Sequence, residues 1–380
     1  MNPDLFKLLP VFFWLLLFFY LAKIPLAIEA FRKQTATSNC QSLLMPPAVS
    51  VIIPARNEEK NLGFLLDSLA KQTLKPAEII VVDDNSSDST SQLVLNRGVH
   101  LVKLGPLPEG WTGKAYACFE GARAASGQVL LFLDADTRLA DNGLEVLLGL
   151  YLSQQGFVSV QPYHIMEKPY EKLSAFFNLI LILNMNISSY ISRLNRPRGA
   201  FGPCLVCSKG DYLSVGGHEA IKGDIIDDMA LARVALSKGL QVHCYAGKGL
   251  VSFRMYPGGL KKLVEGWTKN FATGATRTSP VLFLVSFGWL AGALSGPLDV
   301  AKGIVSGNDF LWQLGLGLYL IFALQVYYFL RKLGNFGVLS AIMYPLNLIF
   351  FMLIFMNSLF YTHLLGFVHW KGRKIRTRKN

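Results

Sequence analysis

The chain has 380 residues, of which 52% are apolar, aromatic or cysteine and only 16% charged, with a formal net charge of +12 and a mean hydropathy of +0.35. That apolar excess excludes an ordinary soluble protein, a disordered chain and a collagen-like repeat, and 5 cysteines are too few for a disulfide-stapled secreted domain and suit a reducing cytoplasm. Nucleic acid is not the partner the charge implies: Lys371, Arg373, Lys374, Arg376, Arg378 and Lys379 crowd into the tail beside an apolar segment, where anionic lipid headgroups or membrane topology explain them better.

The first element, Leu5 to Ile28, is interrupted only by Lys7, Lys23 and two prolines and has the length of a membrane span. No small-x-small cleavage site follows it, and Arg32 and Lys33 lie just beyond as a cytoplasmic stop; it reads as an anchor with its N-terminus outside. Residues 30 to 279 carry nearly all the acidic side chains and read as a water-facing domain. Within it, Val49 to Pro54 is a strand-like apolar run, and leucines at 62, 65, 66 and 69 then fall at helical spacing. A second run, Ala77 to Val82, ends in Asp83-Asp84-Asn85-Ser86-Ser87-Asp88, a loop of turn and cap residues that opens another helix. A third, Val129 to Leu133, ends in Asp134-Ala135-Asp136. Continuous apolar strands alternating with helices predict a mostly parallel sheet covered on both faces, which binds ligands outside the carboxyl ends of its strands.

The stretch Leu173 to Ile191 is apolar but carries Asn178, Asn184 and Asn186, and predicts an interfacial amphipathic helix. Pro280 to Leu298, Phe310 to Leu330, and Phe336 to Leu365 with Tyr344-Pro345 in its middle are further apolar stretches. Three full crossings would put the basic tail outside, against the positive-inside rule. Two crossings plus a re-entrant or interfacial segment broken at Pro345 are expected, with four short crossings as the alternative.

Three clusters offer chemistry. Asp134 and Asp136 leave a buried strand two residues apart; they either start a turn or hold Mg²⁺ or Mn²⁺ with diphosphate oxygens in the open positions. Lys114, in Gly110-Trp111-Thr112-Gly113-Lys114, is either a solvated loop lysine or a phosphate contact. Asp227 and Asp228 open a helix that stops near Gly239, and serve either as dipole-favoured first-turn carboxylates or as a source of a general base. Arg254, Trp267 and Lys269 add positive charge and an aromatic plate on the phosphate or acceptor side, or simply face headgroups. The pair Cys204-x-x-Cys207 has only Cys244, His218 and His243 as distant partners, so zinc is not expected. Zinc-protease and serine-hydrolase patterns are absent from the sequence.

Val49-Ser50-Val51-Ile52-Ile53-Pro54-Ala55-Arg56-Asn57-Glu58, Val82-Asp83-Asp84-Asn85-Ser86-Ser87-Asp88 and Asp134-Ala135-Asp136 together resemble a family 2 glycosyltransferase. The resemblance covers about residues 48 to 275 and implies an α/β GT-A catalytic domain, Rossmann-like with a mostly parallel sheet, flanked by transmembrane helices. The division implied is an anchor at 5–28, the GT-A domain at 48–275, a membrane region at 280–365 and a basic cytoplasmic tail at 366–380. By the same resemblance Pro54, Ala55, Glu58 and Asp84 contact the nucleotide, with Asp83, Lys114 and Asp134 in the nucleotide-sugar site. Asp136 then holds the metal with Asp134 nearby, and Asp228, or Asp227 if the register slips by one, is the base.

Processive synthases of the family carry Gln-x-x-Arg-Trp; here Leu263-Val264-Glu265-Gly266-Trp267 keeps only the tryptophan, so polymerisation is not expected. Ser159-Val160-Gln161-Pro162-Tyr163-His164, Ala200-Phe201-Gly202-Pro203, Gly216-Gly217-His218 and Phe253-Arg254-Met255-Tyr256 resemble the family's carotenoid-acid glycosyltransferases. So do Glu265-Gly266-Trp267-Thr268-Lys269 and Trp370-Lys371-Gly372-Arg373. That likeness implies inverting transfer of glucose from UDP-glucose to a carotenoid carboxyl group at the cell membrane. The alternatives are another lipid acceptor (a hopanoid, diacylglycerol, ceramide-like lipid or polyprenyl phosphate) and a non-catalytic nucleotide-sugar-binding membrane protein.

Overall fold

The computed structural model describes residues 3–21, 23–37, 46–189, 197–224, 226–274, 280–370 and 373–376. Helices α1 (Pro3–Leu21) and α2 (Ala27–Thr37) precede an alternating region: β1 (Val49–Ala55), α3 (Leu62–Ala70), β2 (Glu78–Asp83), α4 (Thr90–Asn96), β3 (His100–Lys103), α5 (Gly113–Ala124), β4 (Val129–Leu133), β5 (Thr137–Leu139), α6 (Gly143–Gln154), β6 (Phe157–Gln161) and β7 (Tyr163–His164). After α7 (Ala175–Met185) come β8 (Cys204–Ser208), α8 (Lys209–Ser214), α9 (Asp227–Ser237), β9 (Val242–Ala246) and β10 (Val251–Phe253). The chain ends with α10 (Leu260–Gly274), α11 (Pro280–Ser306), α12 (Asp309–Leu333), α13 (Gly337–Ile342), α14 (Tyr344–Phe360) and the hairpin β11 (Phe367–Trp370) and β12 (Arg373–Arg376). Two compact units divide these elements, one of residues 25–165 and 197–254, the other of 1–24, 166–196 and 255–380.

In the first unit a seven-stranded sheet runs β3-β2-β1-β4-β8-β6-β9. Every pairing is parallel except those of β8, which is antiparallel to both β4 and β6. The apolar runs read from the sequence are its central strands, buried along nearly their whole length, as a sheet covered on both faces requires. Leu62, Leu65, Leu66 and Leu69 are the buried stripe of α3. Gly121 lets α5 lie close on the sheet, since a Cβ there would stand 2.5 Å from Ile52 Cγ2; that close approach carries the helix start, with Lys114, to the sheet's carboxyl edge.

The second unit is an apolar bundle. Helices α11 and α12 are long and apolar enough to cross a membrane by length and composition, while Leu8–Leu21 and α14 are shorter apolar helices. Glycines let their backbones meet, as in membrane packing: a Cβ on Gly296 would lie 2.7 Å from Tyr319 N, and one on Gly288 2.3 Å from the Phe13 ring. A buried polar chain crosses three helices, from Trp289 Nε1 to Gln325 Oε1 at 2.7 Å and from Gln325 Nε2 to the Trp14 carbonyl at 2.8 Å. Large apolar side chains point outward all round, among them Phe12, Leu15, Leu284, Phe287, Leu324, Leu353 and Met356.

Within the stretch read as an anchor, α1 ends at Leu21, short of Pro25, and a separate helix starts at Ala27. One expectation for this unit is corrected. Residues 173–189 are not an amphipathic surface helix (190 and 191 lie outside the described residues). Helix α7 is buried on nearly every side, with Phe177 stacked on Trp267 at 4.6 Å and Phe176 against Trp289. Two of its asparagines are accommodated locally, Asn178 donating to the Ser174 carbonyl at 2.9 Å and Asn186 capping the helix in the left-handed region, while Asn184 Oδ1 is buried with no hydrogen-bond partner among the described residues. Pro345 falls where a break was expected, in the first turn of α14, where a missing N–H costs nothing.

Candidate active site

The carboxyl ends of β1, β2 and β4 share one sheet edge, and the loops leaving them build the site together with the starts of α5 and α9. The β1 and β2 loops are laced together: Asp84 N donates to the Ala55 carbonyl at 2.9 Å, and Arg56 donates to the Asp84 carbonyl at 2.8 Å and lies 3.5 Å from its carboxylate. Glu58 N and Glu59 N donate to Thr90 Oγ1 and Asp88 Oδ2, at 2.8 and 3.2 Å. Asn57 and Asn85 turn these loops through φ of 55° and 53°, a region asparagine tolerates. Pro54 and Ala55 therefore stand beside Asp84 at the edge. Asp83 serves its own loop, with Oδ1 accepting from Ser86 N at 3.0 Å and Oδ2 from the Ser91 hydroxyl.

Lys114 lies in the first turn of α5 rather than in the preceding loop. Its Nζ is 2.8 Å from Asp134 Oδ1 and 3.4 Å from Asp228 Oδ2, so it joins the acidic turn after β4 to the start of α9. Burial raises the Asp228 carboxyl to about 8, with Asp227 adding to the shift and Lys114 opposing it. Burial also works against the Lys114 ammonium, but the carboxylates of Asp134, Asp228 and Asp227 together hold it well above the ordinary lysine range. Asp227, beside Asp228, is 6% exposed, and its buried Oδ2 has no hydrogen-bond partner among the described residues.

The turn carrying Asp134 and Asp136 is fixed at both sides: Asp134 N donates to the Pro203 carbonyl at 3.0 Å, and the Thr137 hydroxyl to the Asp134 carbonyl at 2.7 Å. Both carboxylates are partly exposed. No group of three or more His, Cys, Asp or Glu side chains placed to hold a metal ion occurs among the described residues. A divalent ion here would therefore take one or two carboxylates from the chain and its other oxygens from a diphosphate and water, which is how Mg²⁺ is usually bound. The residues fit such an ion.

Arg254 follows β10 at the end of the sheet unit, whereas Trp267 and Lys269 belong to the apolar unit. Trp267 is buried there, donating to Ser174 Oγ at 3.0 Å. Cys204 and Cys207 lie three apart on β8 and so face opposite sides of the strand; burial pushes both thiols far up. The Tyr212 hydroxyl accepts from His218 N at 3.1 Å and is hydrogen-bonded to His218 Nδ1 at 3.0 Å. Burial lowers His218 to about 4, so the ring is neutral and structural.

One residue escaped the sequence reading. A Cβ on Gly202 would stand 1.5 Å from Asp228 Oδ2, so the Asp228 carboxylate occupies the room that this glycine leaves. The only signal was the string Ala200-Phe201-Gly202-Pro203, noticed for its likeness and not for a role.

Residues 50–205 match the profile of glycosyl transferase family 2. The 4,4'-diaponeurosporenoate glycosyltransferase of Staphylococcus aureus (strain USA300) is 37% identical over 336 residues, covering 87% of this chain and 89% of that protein. The enzyme of that name from strain MRSA252 is equally similar. Among solved structures, a mannosyltransferase from Pyrobaculum calidifontis in complex with GDP-Man and Mn²⁺ aligns with 93% of this chain and 98% of its own, at 15% identity and a TM-score of 0.48. Glucosyl-3-phosphoglycerate synthase from Mycobacterium tuberculosis aligns with 61% of this chain and 78% of its own, at 20% identity and a TM-score of 0.41.

Proposed function

The chain belongs to glycosyl transferase family 2 and is a glycosyltransferase with a GT-A-like α/β fold; from that premise we propose that it moves glucose from UDP-glucose to the carboxyl group of a carotenoid acid. The observation that carries the reading is the Asp134, Lys114 and Asp228 cluster at the sheet's carboxyl edge. It puts a cation and two carboxylates where a nucleotide diphosphate would lie in such a fold. The named acceptor of the 37% identical relative supports the carotenoid acid. So does the outward apolar surface of the bundle, which suits a multi-pass enzyme drawing a polyene from the bilayer, with its catalytic unit in the cytoplasm.

In this reading Pro54, Ala55, Glu58 and Asp84 hold the uridine. Asp136 and Asp134 would hold Mg²⁺ or Mn²⁺, which when bound supplies neutralising charge for the leaving diphosphate. Lys114 turns from the two carboxylates toward the diphosphate and stabilises the charge that grows on it. The acceptor carboxylate oxygen attacks the anomeric carbon, the bond from that carbon to the diphosphate oxygen breaks, and UDP departs with inversion. A carboxylate with a reference pKa of about 4 is already ionised at neutral pH and needs no base. Asp228, protonated through its burial, is suited to donate a hydrogen bond that orients the acceptor carboxylate instead of repelling it. Arg254, at the end of the sheet unit, remains assigned to the phosphate or acceptor side.

The test is mass spectrometry of lipid extracts from cells that express this chain with a carotenoid-acid pathway. A hexosyl ester present with the wild type and absent with Asp136→Ala is the expected result. UDP release without any such ester would replace the carotenoid acid by another lipid acceptor.

A further inference from the structure

We propose that the loop of residues 199–203 positions Asp228 against Asp134, and that Gly202 is its decisive residue. The inference rests on the reading that Asp228 serves the transfer.

The loop is clamped at four points. Phe201 N donates to Ser159 Oγ at 2.6 Å, and the same hydroxyl donates back to the Phe201 carbonyl at 3.0 Å. Ser159 is fully buried in β6, so both bonds are shielded from water. The Gly199 carbonyl accepts from Cys244 Sγ on β9 at 3.3 Å. The Pro203 carbonyl takes the Asp134 N–H at 3.0 Å. At the fourth point the loop presses on the start of α9: a Cβ on Gly199 would lie 2.9 Å from Met229 Cγ, and one on Gly202 would lie 1.5, 2.2 and 2.7 Å from Oδ2, Cγ and Oδ1 of Asp228. One five-residue segment thus holds the acidic turn by a carbonyl and abuts the second carboxylate with a bare Cα.

The requirement for glycine is spatial. Gly202 is not among the glycines with positive φ, so alanine fits the backbone and only its methyl group is at issue. A real Cβ stays about 3 Å or more from its neighbours, so the Asp228 carboxylate would have to withdraw by roughly 1.5 Å. Displacement of about 1 Å at a reacting centre costs on the order of 10²-fold in rate. A withdrawn Asp228 would also lose its pair with Lys114, and a displaced carboxylate intrudes on its new neighbours where a deleted one leaves room, so moving it is expected to be worse than removing it. Gly202 is accordingly a positioning residue that acts through Asp228.

The full-length protein in detergent or in membranes is assayed with UDP-glucose and a carotenoid acid as Gly202→Ala, Asp228→Ala and the double variant, with melting temperature measured alongside. The expected result is a loss near 10²-fold in kcat for Gly202→Ala with KM for UDP-glucose little changed. In the Asp228→Ala background the added methyl should cost nothing further, so the double variant is faster than Gly202→Ala alone. An equal loss from Gly202→Ala in both backgrounds, or a wild-type rate and melting temperature for Gly202→Ala, overturns the proposal. If Gly202→Ala does not fold, Ser159→Ala, which removes the anchor of Phe201, should show the same dependence on Asp228, and full additivity overturns the proposal there too. Asp228→Ala at the wild-type rate would strike the reading of Asp228 alone; relief of the Gly202→Ala melting defect in the double variant then still decides the positioning.

Discussion

Asp228→Asn and Asp136→Ala separate a carboxylate acceptor from a hydroxyl acceptor. Burial lifts the Asp228 carboxyl to about 8, so the protonated form is favoured at neutral pH. Asparagine matches that form in shape, can still accept from Lys114 and can still donate one N–H. Transfer to a carboxylate should therefore fall less than about tenfold in Asp228→Asn. A hydroxyl acceptor needs its proton removed, and loss of a general base then costs on the order of 10²–10⁴-fold. Asp136→Ala removes a carboxylate that would hold the divalent ion and should cost at least about 10³-fold with either acceptor. The assay is initial-rate formation of glucosyl ester from UDP-glucose in membranes containing the carotenoid acid, with the variants matched for expression. Equal and complete loss of ester formation in both variants would refute the reasoning.

Lys114→Met should lower kcat by about 10²–10³-fold and weaken UDP binding, while the lost pairs with Asp134 and Asp228, a third exposed on the lysine side, cost only about 1–2 kcal/mol of stability; an unchanged kcat removes Lys114 from the diphosphate site. Because Asp228 is raised, the folded state binds more protons than the unfolded one between about pH 4 and pH 8, and stability falls through that window by at most about 1.4 kcal/mol per pH unit. Asp228→Asn lacks this loss, so its melting temperature should gain on the wild type as pH rises from 5 to 8; a constant difference contradicts the raised carboxyl. Gln325→Leu strips the Trp289 indole of its acceptor and should cost about 0.6–2 kcal/mol, read as a lower melting temperature in detergent, and an unchanged one means that the network is not holding the bundle.

The sequence carried the catalytic sheet well because its information there is local. An apolar run followed by Asp134-Ala135-Asp136 is a buried strand and the turn that ends it, and β4 and its turn appear with those bounds. Lys114 was visible as a residue, but its place was not, because the helix it starts is set by Gly121 packing on Ile52 one sheet-face away. Asp83 looked equivalent to Asp84, yet its two oxygens are taken by Ser86 and Ser91, and spacing cannot say which carboxylate a loop uses on itself. Gly202 was illegible for a stronger reason: its contact with Asp228 joins residues 26 apart that meet only once β8 and α9 are in place. The error over 173–189 has the same origin, since Asn178 signals a wet face only until the Ser174 carbonyl accepts from it, and Asn184 Oδ1 is buried although it has no partner among the described residues.

The charge at the sheet edge explains why Lys114 matters before any substrate arrives. Asp134, Asp227 and Asp228 surround Lys114 at the point where the acidic turn meets α9. Left ionised, the three carboxylates there would repel a diphosphate as well as one another, and burial of Asp227 and Asp228 makes that repulsion harder to screen. The fold reduces the excess in two ways that the residues themselves supply. Asp228 keeps a proton, and Lys114 lies between the two loops, drawn to both by charge. Neither device commits the site, because a proton leaves and a lysine side chain swings more readily than a buried strand moves. In the proposed reading, diphosphate with its counter-ion would displace Lys114 from the carboxylates without unfolding anything, and its ammonium would then serve the leaving group.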